Sequence, residues 1–117
     1  MGDLPERTFR FATRVVKLCR HLDKQPGVSR ALSRQLLRLG TSIGANVEEG
    51  QGSQTKADFL TKYCIALKEA RETLYWLRLL AASEVIAEKR LAGLIKEASE
   101  LVAILTTIVK KTKTTIK

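Results

Sequence analysis

Two sets of residues have the types and spacing that chemistry requires. The first is Gly40-Thr41-Ser42-Ile43-Gly44, a literal G-x-S-x-G. On a strand–turn–helix, that pattern exposes a serine nucleophile. The second is a series of cations. Arg7, Arg10, Arg14, Lys17, His21 and Lys24 recur at steps of three and four, and Arg30, Arg34 and Arg38 at steps of four. Residues at those intervals share one side of a helix, so each series forms a positive row. Arg20 adds to the first. Like charges in a row cost a few tenths of a kcal/mol per pair, a cost that mixed signs avoid. Arginine dominates both rows, and its planar fork suits phosphate.

The serine reading fails on context. Its motif lies inside a helical pattern, in a chain too short for the hydrolase fold. The only histidine, His21, belongs to the basic row. Gly40 and Gly44, four apart on one face, instead admit a neighbouring helix at close range. No phosphate loop, paired-carboxylate site, CxxC pair or histidine-based metal cluster can be assembled. The expectation is a protein that is not an enzyme, with no metal, no cofactor and no small-molecule substrate. The two cysteines, Cys19 and Cys64, read as reduced thiols packed in a core.

Rows of charge need helices to hold them, and the apolar residues supply four. Phe9, Ala12, Val16 and Cys19, with Phe11, Val15, Leu18 and Leu22, form one broad apolar face over about residues 5–22. The turn Asp23-Lys24-Gln25-Pro26-Gly27 follows. With Ser29 as N-cap, Leu32, Leu36, Leu39, Ile43 and Val47 mark a second helix over 29–48. The glycine-rich break Glu49-Gly50-Gln51-Gly52-Ser53 ends it. Thr55 and Asp58 form a capping box for a third helix over 55–82, carrying Phe59, Tyr63, Ala66, Ala70, Leu74, Leu77 and Ala81. Leu91, Leu94, Ala98, Leu101, Leu105 and Ile108 mark a fourth over 87–111.

The fold class is therefore all-α, an up-down-up-down antiparallel four-helix bundle over 1–111, with 112–117 as a basic flexible tail. At 117 residues and 13.0 kDa, one domain is the natural size. No apolar stretch resembles a signal peptide or a membrane span, which leads to a cytoplasmic expectation. On the third helix, Ile65, Trp76 and Leu79 fall away from the main seam. A second apolar side needs a second cover, so these three residues are the expected self-association surface.

The net charge is +9, from 21 Lys+Arg and 12 Asp+Glu. Residues 1–47 carry nine basic and three acidic side chains (9 − 3 = +6), residues 48–78 five of each, and residues 79–117 seven and four (7 − 4 = +3). The excess belongs to the first two helices and to Lys110, Lys111, Lys113 and Lys117. No aromatic side chains are interleaved with the arginines, so stacking on unpaired bases is not expected. The rows suit the phosphate backbone of structured RNA or DNA, held without base readout and steeply salt-dependent. An acidic protein partner is the competing expectation.

The segment Arg34-Gln35-Leu36-Leu37-Arg38-Leu39-Gly40-Thr41-Ser42-Ile43-Gly44-Ala45-Asn46-Val47-Glu48-Glu49-Gly50 strongly resembles a known signature. It is that of the four-helix-bundle family named for the 23S ribosomal RNA intervening-sequence proteins. Asp58-Phe59 and the stretch Ala66…Glu69…Glu72-Thr73-Leu74-Tyr75-Trp76-Leu77 are similar to its third helix. The resemblance spans about residues 8–111. It departs at Glu48, where alanine is usual, and after Ala82, where the segment is shorter. It implies a homopentamer. It also extends to the accessory variability proteins of diversity-generating retroelements, which are basic, bind nucleic acid and associate with a reverse transcriptase. Asn46 and Glu49 match the family's most characteristic polar positions, where a buried Asn–Glu network between helices is expected.

Overall fold

Asp3 opens the first helix. Its carboxylate accepts the Glu6 N–H at 3.4 Å, and Pro5 sits in the first turn, where a missing N–H costs nothing. In the computed structural model, which describes residues 3–115, the elements are α1 (Leu4–Leu22), α2 (Val28–Gln51), α3 (Lys56–Ala82) and α4 (Glu88–Thr115). The described chain is all-α. Its helices pack in chain order, α1 on α2, α2 on α3 and α3 on α4, and the much thinner α1–α4 seam closes the bundle. The body measures 48 × 21 × 20 Å.

Three helix ends differ from expectation. Ser29 is not the N-cap of α2. Gly27 is, in the left-handed region at φ 86°, and its carbonyl accepts the Ala31 N–H at 3.0 Å. Nor does α2 stop at Glu48. It continues through Gly50 because the Tyr63 ring covers that glycine, and Gly52 caps it instead. Finally, residues 112–115 are helix rather than flexible tail, with Thr112 Oγ1 bonded back to the Ile108 carbonyl at 2.8 Å. Residues 116–117 lie outside the described residues. The Thr55 cap does form, its hydroxyl accepting the Asp58 N–H at 3.0 Å.

The core runs the length of the bundle through Phe11, Val15, Leu36, Leu39, Ile43, Val47, Leu77, Leu91, Leu101 and Leu105, all at or below 1% exposure. Close approach at glycines sets its tightness. A Cβ at Gly40 would lie 2.8 Å from Val15 Cγ1, one at Gly44 would lie 3.3 Å from the Thr8 carbonyl oxygen, and one at Gly50 would lie 2.6 Å from Tyr63 Cε1. The first two seat α1 on α2, and the third seats α3.

The broad apolar face expected of α1 is in fact two stripes. Phe11, Val15, Cys19 and Leu22 are buried, with Thr8 among them, whose hydroxyl donates to the Leu4 and Pro5 carbonyls. Phe9, at 67% exposure, and Val16 face outward. An α-helix turns 100° per residue, so positions 9 and 16 sit too far round from 11 and 15 to share one contact.

Candidate nucleic-acid interface

The basic row on α1 lies along the α1–α4 seam, and α4 divides it. At its N-terminal end, Arg7 Nε donates to Glu97 Oε2 at 2.6 Å and Nη2 to Glu97 Oε1 at 3.0 Å, while Nη2 also reaches Glu100. This is the two-bond fork geometry that a phosphate would otherwise occupy. The bonds from Arg7 hold the Glu97 carboxyl below the usual carboxylate range, and Arg14 and Arg10 add to the effect through space. Arg7 is therefore a strut between α1 and α4 and not a free cation, a correction to the sequence reading. Arg10, one turn on, lies 3.4 Å from Glu6 but stays exposed. Glu6 thus interrupts the row on its N-terminal side.

From Arg14 onward the row changes character. Among the described residues, no carboxylate pairs with Arg14, Lys17, Arg20 or Lys24. All four are exposed. Arg14 crosses the seam, its Nη2 lying 2.8 Å from where a Cβ on Gly93 would be. Lys17, Arg20, His21 and Lys24 line one shallow depression together with Asp23. Asp23 is turned to other use: Arg30 donates to its carbonyl at 3.1 Å and lies 3.7 Å from its carboxylate.

Sequence spacing did not reveal Arg90. It stands in the first turn of α4 and shares a cleft with Arg14, Lys17 and His21. An isolated arginine in a mixed-sign stretch carries no periodic signal, and only the antiparallel return of α4 brings it to the row.

Of the remaining cations, only Arg30 adjoins this surface, at its edge, through Asp23. Arg30, Arg34 and Arg38 are exposed on α2, whose backbone runs beside α1 and α3 and not beside α4. Arg30 is tied to Asp23, and Arg38 to Gln35 at 3.2 Å. Lys110, Lys111 and Lys113 lie near the far end of α4, about 30 Å from Arg90 at 1.5 Å per residue. Lys113 lines a separate groove with Lys68 and Arg71.

The signature segment of α2 is structural. The Ser42 hydroxyl donates to Glu69 on α3, and Asn46 Nδ2 donates to the Ser42 carbonyl at 3.0 Å, to Ser42 Oγ at 3.1 Å and to Glu69 at 3.3 Å. The acceptor in the Asn–Glu network is thus Glu69, not Glu49. Glu49 is exposed and pairs with Lys62 at 2.7 Å. Both links tie α2 to α3. Of the expected self-association residues, Ile65 is 37% exposed, while Trp76 and Leu79 are half-buried. Trp76 packs against the core and meets Tyr75 edge-on. Phe9 and Val16 of α1 and Leu37 of α2 are further exposed apolar side chains. Phe9 lines a cleft of about 510 Å³ with Pro5, Ala12, Thr41, Gly44, Ala45 and Glu48.

No described helix is long and apolar enough to cross a membrane, and the described residues hold no group of three or more potential metal ligands. A family model described as 23S rRNA-intervening sequence protein matches residues 3–107. A crystal structure of a protein of unknown function from the S23 ribosomal protein family of Bacteroides thetaiotaomicron is 39% identical. It covers 92% of this chain and 99% of its own, with a TM-score of 0.85. No curated protein matches the chain.

Proposed function

The chain belongs to the 23S rRNA-intervening sequence protein family, and on that premise we propose that it is a non-enzymatic adaptor that binds structured RNA or DNA. The observation that carries the reading is the run of unpaired cations Arg14, Lys17, Arg20 and Lys24, which Arg90 of α4 extends across the seam. The contacts are to phosphates, so binding is set by charge and shape and weakens steeply with salt. Arg34 and Arg38 of α2 and the lysines near the end of α4 add attraction from other sides of the molecule.

The assembly we propose is a homopentamer. Five copies would carry 5 × 9 = +45, and repeated weak contacts on one polyanion raise avidity without any new contact chemistry. Ile65, Trp76 and Leu79, or Phe9, Val16 and Leu37, supply the apolar area for it. The strongly basic balance aligns the chain with the accessory variability proteins of diversity-generating retroelements, so the proposed protein partner is a reverse transcriptase.

The test is binding of a folded RNA by the parent and by Arg10→Gln/Arg14→Gln/Lys17→Gln across a range of salt concentrations. The triple variant is expected to bind more weakly with a shallower salt slope, at unchanged particle mass. Equal binding at every salt concentration would remove the α1 row from the site. Co-purification from the host with and without nuclease examines the partner. A complex that survives digestion and carries no nucleic acid favours the competing reading, a hub for an acidic protein.

A further inference from the structure

Arg14, Lys17, His21 and Arg90 converge on a cleft of about 290 Å³ between the C-terminal half of α1 and the start of α4. Its other lining residues are Leu18, Ile86 and Leu94, the first half-buried and the other two buried. No carboxylate lines it. On the packed elements, Glu97 is engaged by Arg7 and Asp23 by Arg30, while Glu88, in the first turn of α4, is exposed to solvent and does not line the cleft. The cleft also lies at the N-terminal turn of α4, where the helix dipole is positive. Three cations and an imidazole around an apolar floor differ from the open row along α1. A row tracks many singly charged phosphodiesters, whereas a converging set favours one concentrated negative charge beside an apolar body.

We propose that this cleft binds the terminal phosphomonoester of a nucleic-acid chain, with the last sugar and base over Leu18, Ile86 and Leu94. This rests on the nucleic-acid reading above and adds an end to it. A phosphomonoester carries close to two negative charges at neutral pH, against one for a diester, and it presents three oxygens to guanidinium forks. The cleft is open enough to admit a chain end and too small to enclose a duplex. Arg14 links the two functions. It closes the cleft on one side and continues the row on the other.

The experiment uses the full chain and one RNA hairpin, fluorescently labelled in its loop, with 5′-phosphate, 3′-phosphate or hydroxyl ends. The expected result is about five- to tenfold tighter binding of at least one phosphorylated form than of the hydroxyl form. In Arg90→Gln that ratio falls to about one, while in Lys56→Gln, exposed at the start of α3, it persists. Thermal unfolding confirms that both variants fold. Equal affinity for all three hairpins overturns the end-binding inference and leaves the nucleic-acid reading standing. Failure of every hairpin to bind overturns both. Adenosine 5′-monophosphate separates a chain end from a free nucleotide: it should compete only at millimolar concentration, and displacement at micromolar concentration would overturn the chain-end assignment.

Discussion

Arg7 and Arg14 stand two turns apart in one row of α1, yet they meet different chemistry. Arg7 is matched by Glu97 and Glu100 and is only 30% exposed, whereas Arg14 reaches over Gly93, a residue with no side chain to oppose it. Replacing Glu97 with Gln should therefore move two observables in opposite directions. Stability should fall by about 1 kcal/mol, since the pair is partly solvent-screened, lowering Tm by about 4 °C in a calorimetric scan. Affinity for folded RNA should rise, because one negative charge leaves the seam, although Glu100 still holds Arg7. A variant that loses both stability and affinity would show that the Arg7–Glu97 link positions the interface. The same pair fixes a pH dependence. Folding lowers the pKa of Glu97, so its contribution is fully present above the unfolded carboxylate value of about 4.3. It is lost as pH falls through the folded value. Denaturant midpoints should drop more steeply below pH 4 in the parent than in Glu97→Gln.

The helices themselves were legible because each carries an apolar period. Their ends and their closest contacts were not. Gly50 reads as a helix breaker in a run with Gly52, yet it is helical because Tyr63 packs closely on it, stacked on Phe59 at 4.1 Å and donating its hydroxyl to Gln51 at 2.9 Å. Glycine to alanine at three helical positions should separate packing from propensity. In Gly50→Ala the new methyl meets a fixed ring. In Gly40→Ala it meets both γ-carbons of fully buried Val15. Each should lose about 1–3 kcal/mol from overpacking, more than the gain in helix propensity. In Gly93→Ala the new methyl meets only the flexible end of Arg14, so stability should rise by up to about 1 kcal/mol while the Arg14 guanidinium is displaced. Urea midpoints for the three variants test the ordering. A destabilised Gly93→Ala would mean that Arg14 cannot yield.

At the scale of the whole molecule, Ile65 on α3 and Phe9, Val16 and Leu37 on α1 and α2 are left exposed among the described residues. Exposed apolar side chains that a second copy can cover favour self-association. Sedimentation should therefore find a species heavier than one 13.0 kDa chain. Ile65→Lys and Phe9→Ser each replace an exposed side chain and should leave the bundle folded. Loss of assembly in one variant alone identifies the contact, and loss in both indicates a head-to-tail arrangement in which one surface meets the other. A 13.0 kDa parent species at all concentrations would end the pentamer proposal.

Periodicity along the chain determined the four helices, the buried stripes of α2, α3 and α4, and the existence of a positive row on α1, because each depends on residues three and four apart. The signature around Gly40–Gly50 was equally local, and its glycines do admit neighbouring helices. What only tertiary structure decided is how much of the charge is free. Whether a cation faces solvent or a carboxylate depends on the helix that lies beside it. The antiparallel return of α4 sets Glu97 against Arg7 and Arg90 beside Lys17, across seventy and more positions of sequence that no spacing rule connects.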